Sequence, residues 1–238
     1  GNFSFSSALL TRLHGASALT ATSYDPEPVA LQKYPDLDAH VSAVREMGGT
    51  VLFGVDATEL EKCKPLRGML FDKIVFNFPH VGAGIKDQER NVIANQNLIR
   101  AFFVSAAAFL RPSTSTTQSG RILLTTKTGM PYDLWDVRAQ AKLTGELELV
   151  ESFLFESSLY EGYAHRRTIG FKEGVSSEEN EEIRGGDGPR TFAFGLKEEV
   201  AFEEEEEIPS KGKKRDVKGQ GGTAKKRKKG DESSDDED

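Results

Sequence analysis

The sequence predicts an α/β sandwich with a mostly parallel sheet and an antiparallel hairpin at one edge. Three observations carry this expectation. Up to about residue 196, short β-branched and aromatic runs alternate with segments of helical period. Helical segments between strands allow the right-handed crossovers that parallel pairing needs. The last two apolar runs are instead joined by a stretch without a convincing helix, which suits a hairpin.

Taken in order, Ser6–His14 reads as a short helix capped by Gly15, and Leu19–Tyr24 as a short β-like run. Leu37, Val41 and Val44 recur at i, i+4, i+7, and Gly48-Gly49 ends that helix. Thr50–Val55 is a strand followed by Asp56, and Phe71–Phe76 is another. Asp87–Leu110 is the clearest helix, with Val92, Ile99, Phe103, Ala106 and Leu110 on one face and Arg111-Pro112 as its stop. Arg121–Thr126 reads as a buried strand and Tyr132–Leu143 as one helix. Leu147–Phe155 and Arg190–Leu196 are the final strands, and the acidic Gly174–Gly188 is a long exposed loop.

Charge separates this body from the remainder of the chain. The 238 residues carry a net charge of −7, and only 37% are hydrophobic. The total conceals a segregated tail. Lys211–Lys229 holds ten Lys/Arg against one acid, and Asp231–Asp238 holds six acids and no base. Such composition buries too little apolar surface to offset chain entropy. The expected organisation is a folded domain over 1–197 and a disordered tail over 198–238. The basic clusters Lys211–Arg215 and Lys225–Lys229 have the spacing of a bipartite nuclear import signal, so an import receptor is the partner expected for the tail. Attachment to RNA is a second, compatible use. The two serines of the acidic end suit an acid-directed kinase. No apolar run approaches the ~20 residues of a membrane helix, so no membrane partner is expected. Cys63 is the only cysteine, which excludes an internal disulfide and a Cys-based zinc site, and no metal is expected.

The chemistry-bearing residues gather at strand ends, where open α/β sheets bind ligands. Gly1-Asn2-Phe3-Ser4 leads into the first helix, Asp25 follows the first strand-like run, and Asp56 with Ala57 follows Val51–Val55. Asn77-Phe78-Pro79-His80 follows Lys73–Phe76. A glycine turn with one carboxylate per successive strand suits an adenosine-bearing cofactor, because a carboxylate accepts from ribose hydroxyls or an adenine amino group. Each Asp alone is more often a cap or turn residue.

Asn77-Phe78-Pro79-His80 resembles the Asn/Asp-Pro-Pro-aromatic motif of S-adenosylmethionine-dependent methyltransferases that act on nitrogen. Together with Gly1–Ser6, Lys127-Thr128-Gly129, Pro131-Tyr132, Trp135 and Gly162–Thr168, it makes roughly Gly1–Leu196 similar to the eukaryotic ribosomal RNA uridine-N(3) methyltransferases, whose domain is Rossmann-like. The resemblance implies S-adenosylmethionine as cofactor and large-subunit ribosomal RNA, within a pre-ribosomal particle in the nucleolus, as substrate. It implies that Gly1, Asn2, Phe3 and Ser4 border the methionine end of the cofactor, and that Asp25 and Asp56, with Ala57, take the ribose and adenine positions. It implies that Asn77, Phe78, Pro79 and His80 face the base. It further implies an N-terminally truncated sandwich, since the family's first strand, at the sheet centre, would precede Gly1.

Uracil N3 carries a proton, so the site must share or remove it. On this reading Asn77 aligns the base, His80 is the nearest candidate base, and Phe78 stacks on the target, which must be unpaired or flipped. Lys127, Arg166 and Arg167 are candidate phosphate contacts, although three such cations are more often plain solvated charge. Trp135 and Tyr163 read as packing. The chain is expected to act as a monomer. Two rival readings stand beside the enzyme: a non-catalytic nucleolar assembly factor that keeps the fold, and a methyltransferase acting on another RNA or a protein amine.

Overall fold

The computed structural model describes residues 1–197 except 16, 17, 115, 172 and 174–178. The expectations for the tail, 198–238, lie outside the described residues, as does part of the 174–188 loop.

The described chain is α/β, with its strands in two sheets. Strands β1 (Thr20–Ser23) and β2 (Thr50–Phe53) pair in parallel, Thr20 opposite Thr50, as a two-stranded sheet. The larger sheet has the order β3-β4-β6-β5, from β3 (Lys73–Asn77), β4 (Arg121–Thr126), β5 (Leu147–Leu154) and β6 (Arg190–Leu196). β3 and β4 are parallel, while β6 runs antiparallel to both β4 and β5. The edge hairpin is therefore present, but the sheet is more evenly mixed than expected. Among the described residues the route from β5 to β6 carries no crossover α-helix, and β6 returns antiparallel between β4 and β5.

Helices cover the sheets. Helix α1 (Ser4–Arg12) starts two residues earlier than its pattern suggests, because Phe3 breaks the chain direction at φ 63°. Helix α2 (Glu27–Lys33) was not legible, since Pro26 and Pro28 mask a seven-residue helix that accommodates proline in its first turn. Helix α3 (Leu37–Glu46) buries Leu37, Val41 and Val44, as their spacing requires. Helix α4 (Gln88–Ala107) opens where Asp87 accepts from the Arg90 backbone N–H at 2.8 Å. The expected helix over 132–143 is two pieces: a 3₁₀ turn, Tyr132–Trp135, and helix α5 (Val137–Leu143). Asp136 divides them at φ 41° and caps α5 through the Ala139 N–H. Among the described residues no helix is long and apolar enough to cross a membrane.

Among the described residues three apolar cores result. The largest packs Ile99, Phe102 and Phe103 of α4 against Ile122 and Leu124 of β4, Phe194 of β6 and Val137 of α5. Phe103 is fully buried, with its ring 4.9 Å from that of Phe194. The second joins Phe3, Ala21, Ala30, Tyr34, Leu37 and Val41 beneath β1. Strand alternation lets β2 serve both: Val51 and Phe53 face the second core, Leu52 the first. The third gathers Ala8, Phe155, Tyr163 and Ile183, with Phe5, Phe78 and Tyr160 against them. It ties α1 to two loops and to the turn after β3.

Candidate functional site

The turn after β3 is fixed from both sides. Asn77 Oδ1 accepts from the Thr125 hydroxyl at 2.8 Å, and the Phe78 N–H donates to the Thr125 carbonyl at 2.8 Å. Just beyond it, the Val81 N–H donates to Oδ1 of Asn95, a fully buried residue of α4. A polar residue on the apolar face of an amphipathic helix was the signal that would have found Asn95. Phe78 stands at φ 52°, a left-handed conformation that costs a non-glycine residue roughly 1–2 kcal/mol. The strain reverses its side chain. Its ring turns inward onto His165 at 4.8 Å and Phe155 at 5.6 Å, rather than outward as a platform for a base.

His80 Nδ1 accepts the backbone N–H of Gly82 at 2.8 Å. That bond needs a bare Nδ1 lone pair, so the neutral ring carries its proton on Nε2. Desolvation first, and nearby Lys127 second, hold the His80 pKa below its ordinary value. A neutral ring with its accepting nitrogen already engaged is a donor. The expectation of His80 as a base does not fit this geometry.

The glycine turn and the carboxylates come together at the other sheet. β1–β2 pairing continues past both strands: the Val55 N–H reaches the Ser23 carbonyl at 2.9 Å and the Gly54 N–H the Asp25 carbonyl at 3.2 Å. Asp25, largely buried, is ion-paired to Lys33 at 2.6 Å through Oδ1. Asp56 Oδ1 accepts from both the N–H and hydroxyl of Thr58, at 2.8 and 2.7 Å. Each carboxylate keeps Oδ2 for another donor. Ala57 is half-buried against the main core. Asn2 and Ser4 spend their side chains internally. Asn2 donates to Asp36 at 2.9 Å, and Ser4 Oγ donates to the Ala164 carbonyl at 2.9 Å. Gly1 leaves open space around its α-carbon.

The segment 162–168, whose role the sequence did not disclose, is the clasp that holds these pieces. Ala164 binds Ser4, the Arg167 carbonyl accepts from the Tyr34 hydroxyl at 3.1 Å, and Arg166 pairs with Asp36 at 2.7 Å. The Arg166 side chain is only 6% exposed, so it is interior framework and not the surface phosphate contact that was expected. Arg167 pairs with Glu182 at 2.8 Å. Glu182 belongs to the acidic loop expected to be exposed, yet its side chain is 8% exposed and its neighbour Ile183 fully buried. Asn180, at φ 59°, turns the chain inward there and binds the His165 N–H at 2.6 Å and the Tyr163 carbonyl at 2.8 Å. Lys127 is half-buried with its ammonium 5.6 Å above the Tyr132 ring. Burial lowers its pKa, opposed by Glu182.

Two cavities share Tyr132, and one of them opens beside the turn. One, about 450 Å³, is lined by His80, Lys86, Gln88, Asn91, Met130 and Trp135 among others. The other, about 360 Å³, is lined by Lys127, Arg138, Arg190, Asp187 and Phe192 among others. Among the described residues no group of three or more His, Cys, Asp or Glu is placed to hold a metal ion.

Residues 1–167 match the family described as BMT5-like, rRNA (uridine-N3-)-methyltransferase BTM5-like. The chain belongs to this family. The matched span runs from the glycine turn through both carboxylates and the Asn77–His80 turn into the clasp. Curated relatives include heavy metal-associated isoprenylated plant protein 41 of Arabidopsis thaliana, 32% identical over 171 residues, covering 71% of this chain and 32% of that protein. The 25S rRNA (uridine(2634)-N(3))-methyltransferase of Saccharomyces cerevisiae is 30% identical over 220 residues, covering 71% of this chain and 64% of the yeast enzyme. The chain thus spans about a third of the plant protein and under two thirds of the yeast one. Among solved structures, SMU.776 complexed with SAH is similar with a TM-score of 0.43 and 15% identity, over 81% of this chain and 43% of that one. That likeness is too slight to bear on the site.

Proposed function

We propose that this chain carries the S-adenosylmethionine-dependent activity that methylates uridine N3 in large-subunit ribosomal RNA. The observation that supports it most is the pinned Asn77-Phe78-Pro79-His80 turn, beside a cavity, within a chain of the BMT5-like family.

The donor and acceptor set suits the cofactor. Asp25 and Asp56 each retain a carboxylate oxygen at the carboxyl end of a parallel strand, and Gly1 leaves backbone room between such ends and α1. In this reading Asp25 and Asp56 accept from the adenosine portion, while the Gly1–Ser4 backbone lines the methionine portion. When bound, the cofactor supplies an electrophilic methyl group on sulfur. Asn77 aligns the base: Thr125 fixes its amide, so its Nδ2–H groups point to a set place. With His80 a donor, the second lone pair of Asn77 Oδ1 accepts a hydrogen bond from N3–H, which orients the base without deprotonating it, and the N3 proton leaves to solvent. Lys127 contacts the RNA backbone beside the turn. The basic clusters of the tail address the protein to the nucleus and nucleolus through an import receptor, and it acts as a monomer on the pre-ribosomal particle.

The test is transfer of a tritiated methyl group from S-adenosylmethionine to ribosomal RNA, followed by nucleoside analysis. N(3)-methyluridine is expected. Asn77→Ala is expected to lower single-turnover rate about 100-fold with little change in cofactor affinity. Label in another nucleoside, or a wild-type rate for Asn77→Ala, would overturn the reading.

A further inference from the structure

The ~450 Å³ cavity beside the turn is rich in donors. Its lining includes no Asp or Glu. His80 turns its protonated Nε2 away from the Gly82 bond, and no described residue accepts from it. Trp135, whose ring is 5.8 Å from the His80 ring, has an indole N–H that is buried without a partner. Lys86 adds a cation at the rim. Unpartnered donors without competing carboxylates select a planar ligand edged with acceptors.

We propose that His80 is the specificity-determining residue for the target base: its Nε2–H donates to the 4-keto oxygen of a uracil seated in this cavity. This rests on the reading of the chain as a uridine methyltransferase. The logic is one of complementarity. Uracil offers a carbonyl oxygen at position 4, whereas cytosine offers an amino group, which would set donor against donor and leave both unpaired. A site built around one hydrogen bond rejects the analogue lacking it far more strongly than a merely apolar pocket does. The Gly82 N–H is what enforces the choice. By occupying Nδ1 it prevents the ring from presenting an acceptor, so the imidazole cannot switch tautomer to welcome cytosine. Lowering of the His80 pKa by desolvation and Lys127 keeps the ring in this single neutral form near pH 7.

The experiment is equilibrium binding of short single-stranded oligonucleotides to the full chain in the presence of S-adenosylhomocysteine. Oligouridylate, oligocytidylate and an oligomer of 4-thiouridine, whose sulfur is a poor acceptor, are compared at one salt concentration. Wild type is expected to prefer oligouridylate by roughly 10–100-fold over both others. His80→Ala is expected to bind all three alike. The 4-thio probe changes only the ligand, so it decides even if the variant folds poorly. Nitrogen-15 spectra of the ring give a second readout: a protonated Nε2 and a bare Nδ1. Absence of a wild-type preference, a preference that survives His80→Ala, or a proton on Nδ1 would overturn the proposal. Methyl transfer measured on parallel samples, with S-adenosylmethionine in place of S-adenosylhomocysteine, separates the two readings. A His80-dependent preference without transfer leaves this proposal standing and removes the enzyme. Transfer to uridine with a preference independent of His80 does the reverse.

Discussion

His165 is nearly buried, with its ring against Phe78 and its backbone held by Asn180. Burial first, then the charges of Lys127, Arg167 and Arg166, push its pKa down to about 3. Above about pH 6.5 folded and unfolded chains are both neutral at this site, so its contribution to stability is then complete. Below that, the unfolded chain takes up a proton that the folded chain refuses, and stability falls by ~1.4 kcal/mol per pH unit as pH drops toward 3. His40 and His80, also lowered, act with the same sign. Urea midpoints between pH 6.5 and 4 are therefore expected to fall less steeply in His165→Gln than in wild type. Equal slopes would mean that His165 protonates freely in the folded protein. At this scale the sequence was an uneven guide. Asn77–His80 was legible as a turn because it directly follows a clear apolar strand and contains a proline. Glu182 was not, because burial of one glutamate among four in a charged loop depends on Asn180 turning the chain at a positive φ, which composition does not record.

Asp136 decides the shape of the segment that bears Trp135. It terminates a 3₁₀ turn, adopts φ 41° and caps α5 through Ala139. Asp136→Gly keeps the backbone freedom and loses only the cap. Asp136→Ala loses the cap and also forces a β-carbon into a left-handed conformation. The glycine variant is expected to lose a few tenths of a kcal/mol, and the alanine variant about 1–2 kcal/mol, read from denaturant midpoints. An alanine variant as stable as the glycine one would show that the positive φ is unstrained. Elements with one dominant signal were recovered from sequence. β4 and β6 match their expected limits, and α4 differs only at its ends, because each joins a clean apolar run or face to a clear stop. Elements whose limits depend on a single backbone angle, such as α1 after Phe3 and α5 after Asp136, were misjudged at the start or merged with a neighbour.

Across the molecule the two sheets are unequal. β4 is hydrogen-bonded on both sides and lies under α4 in the largest core, whereas, among the described residues, β1 and β2 pair only with each other and β1 rests on the smaller second core. Local opening free energy follows such support. Amides of β4 and of the buried face of α4 are expected to exchange hydrogen at least ~100-fold more slowly than those of β1 and β2. Equal protection would show that both sheets open as one unit. The clasp between Ser4 and Ala164 joins residues 160 apart in the chain. During synthesis, at about 5–20 residues per second, the glycine turn therefore waits roughly 10–30 s for its partner to emerge. Over that interval Ser4 cannot make its bonds to Ala164, although Asn2 can already reach Asp36, so an early segment completes its native contacts late. A ribosome stalled between positions 110 and 160 would hold a chain whose α4 is already made but whose glycine turn is still open to whatever binds extended polypeptide.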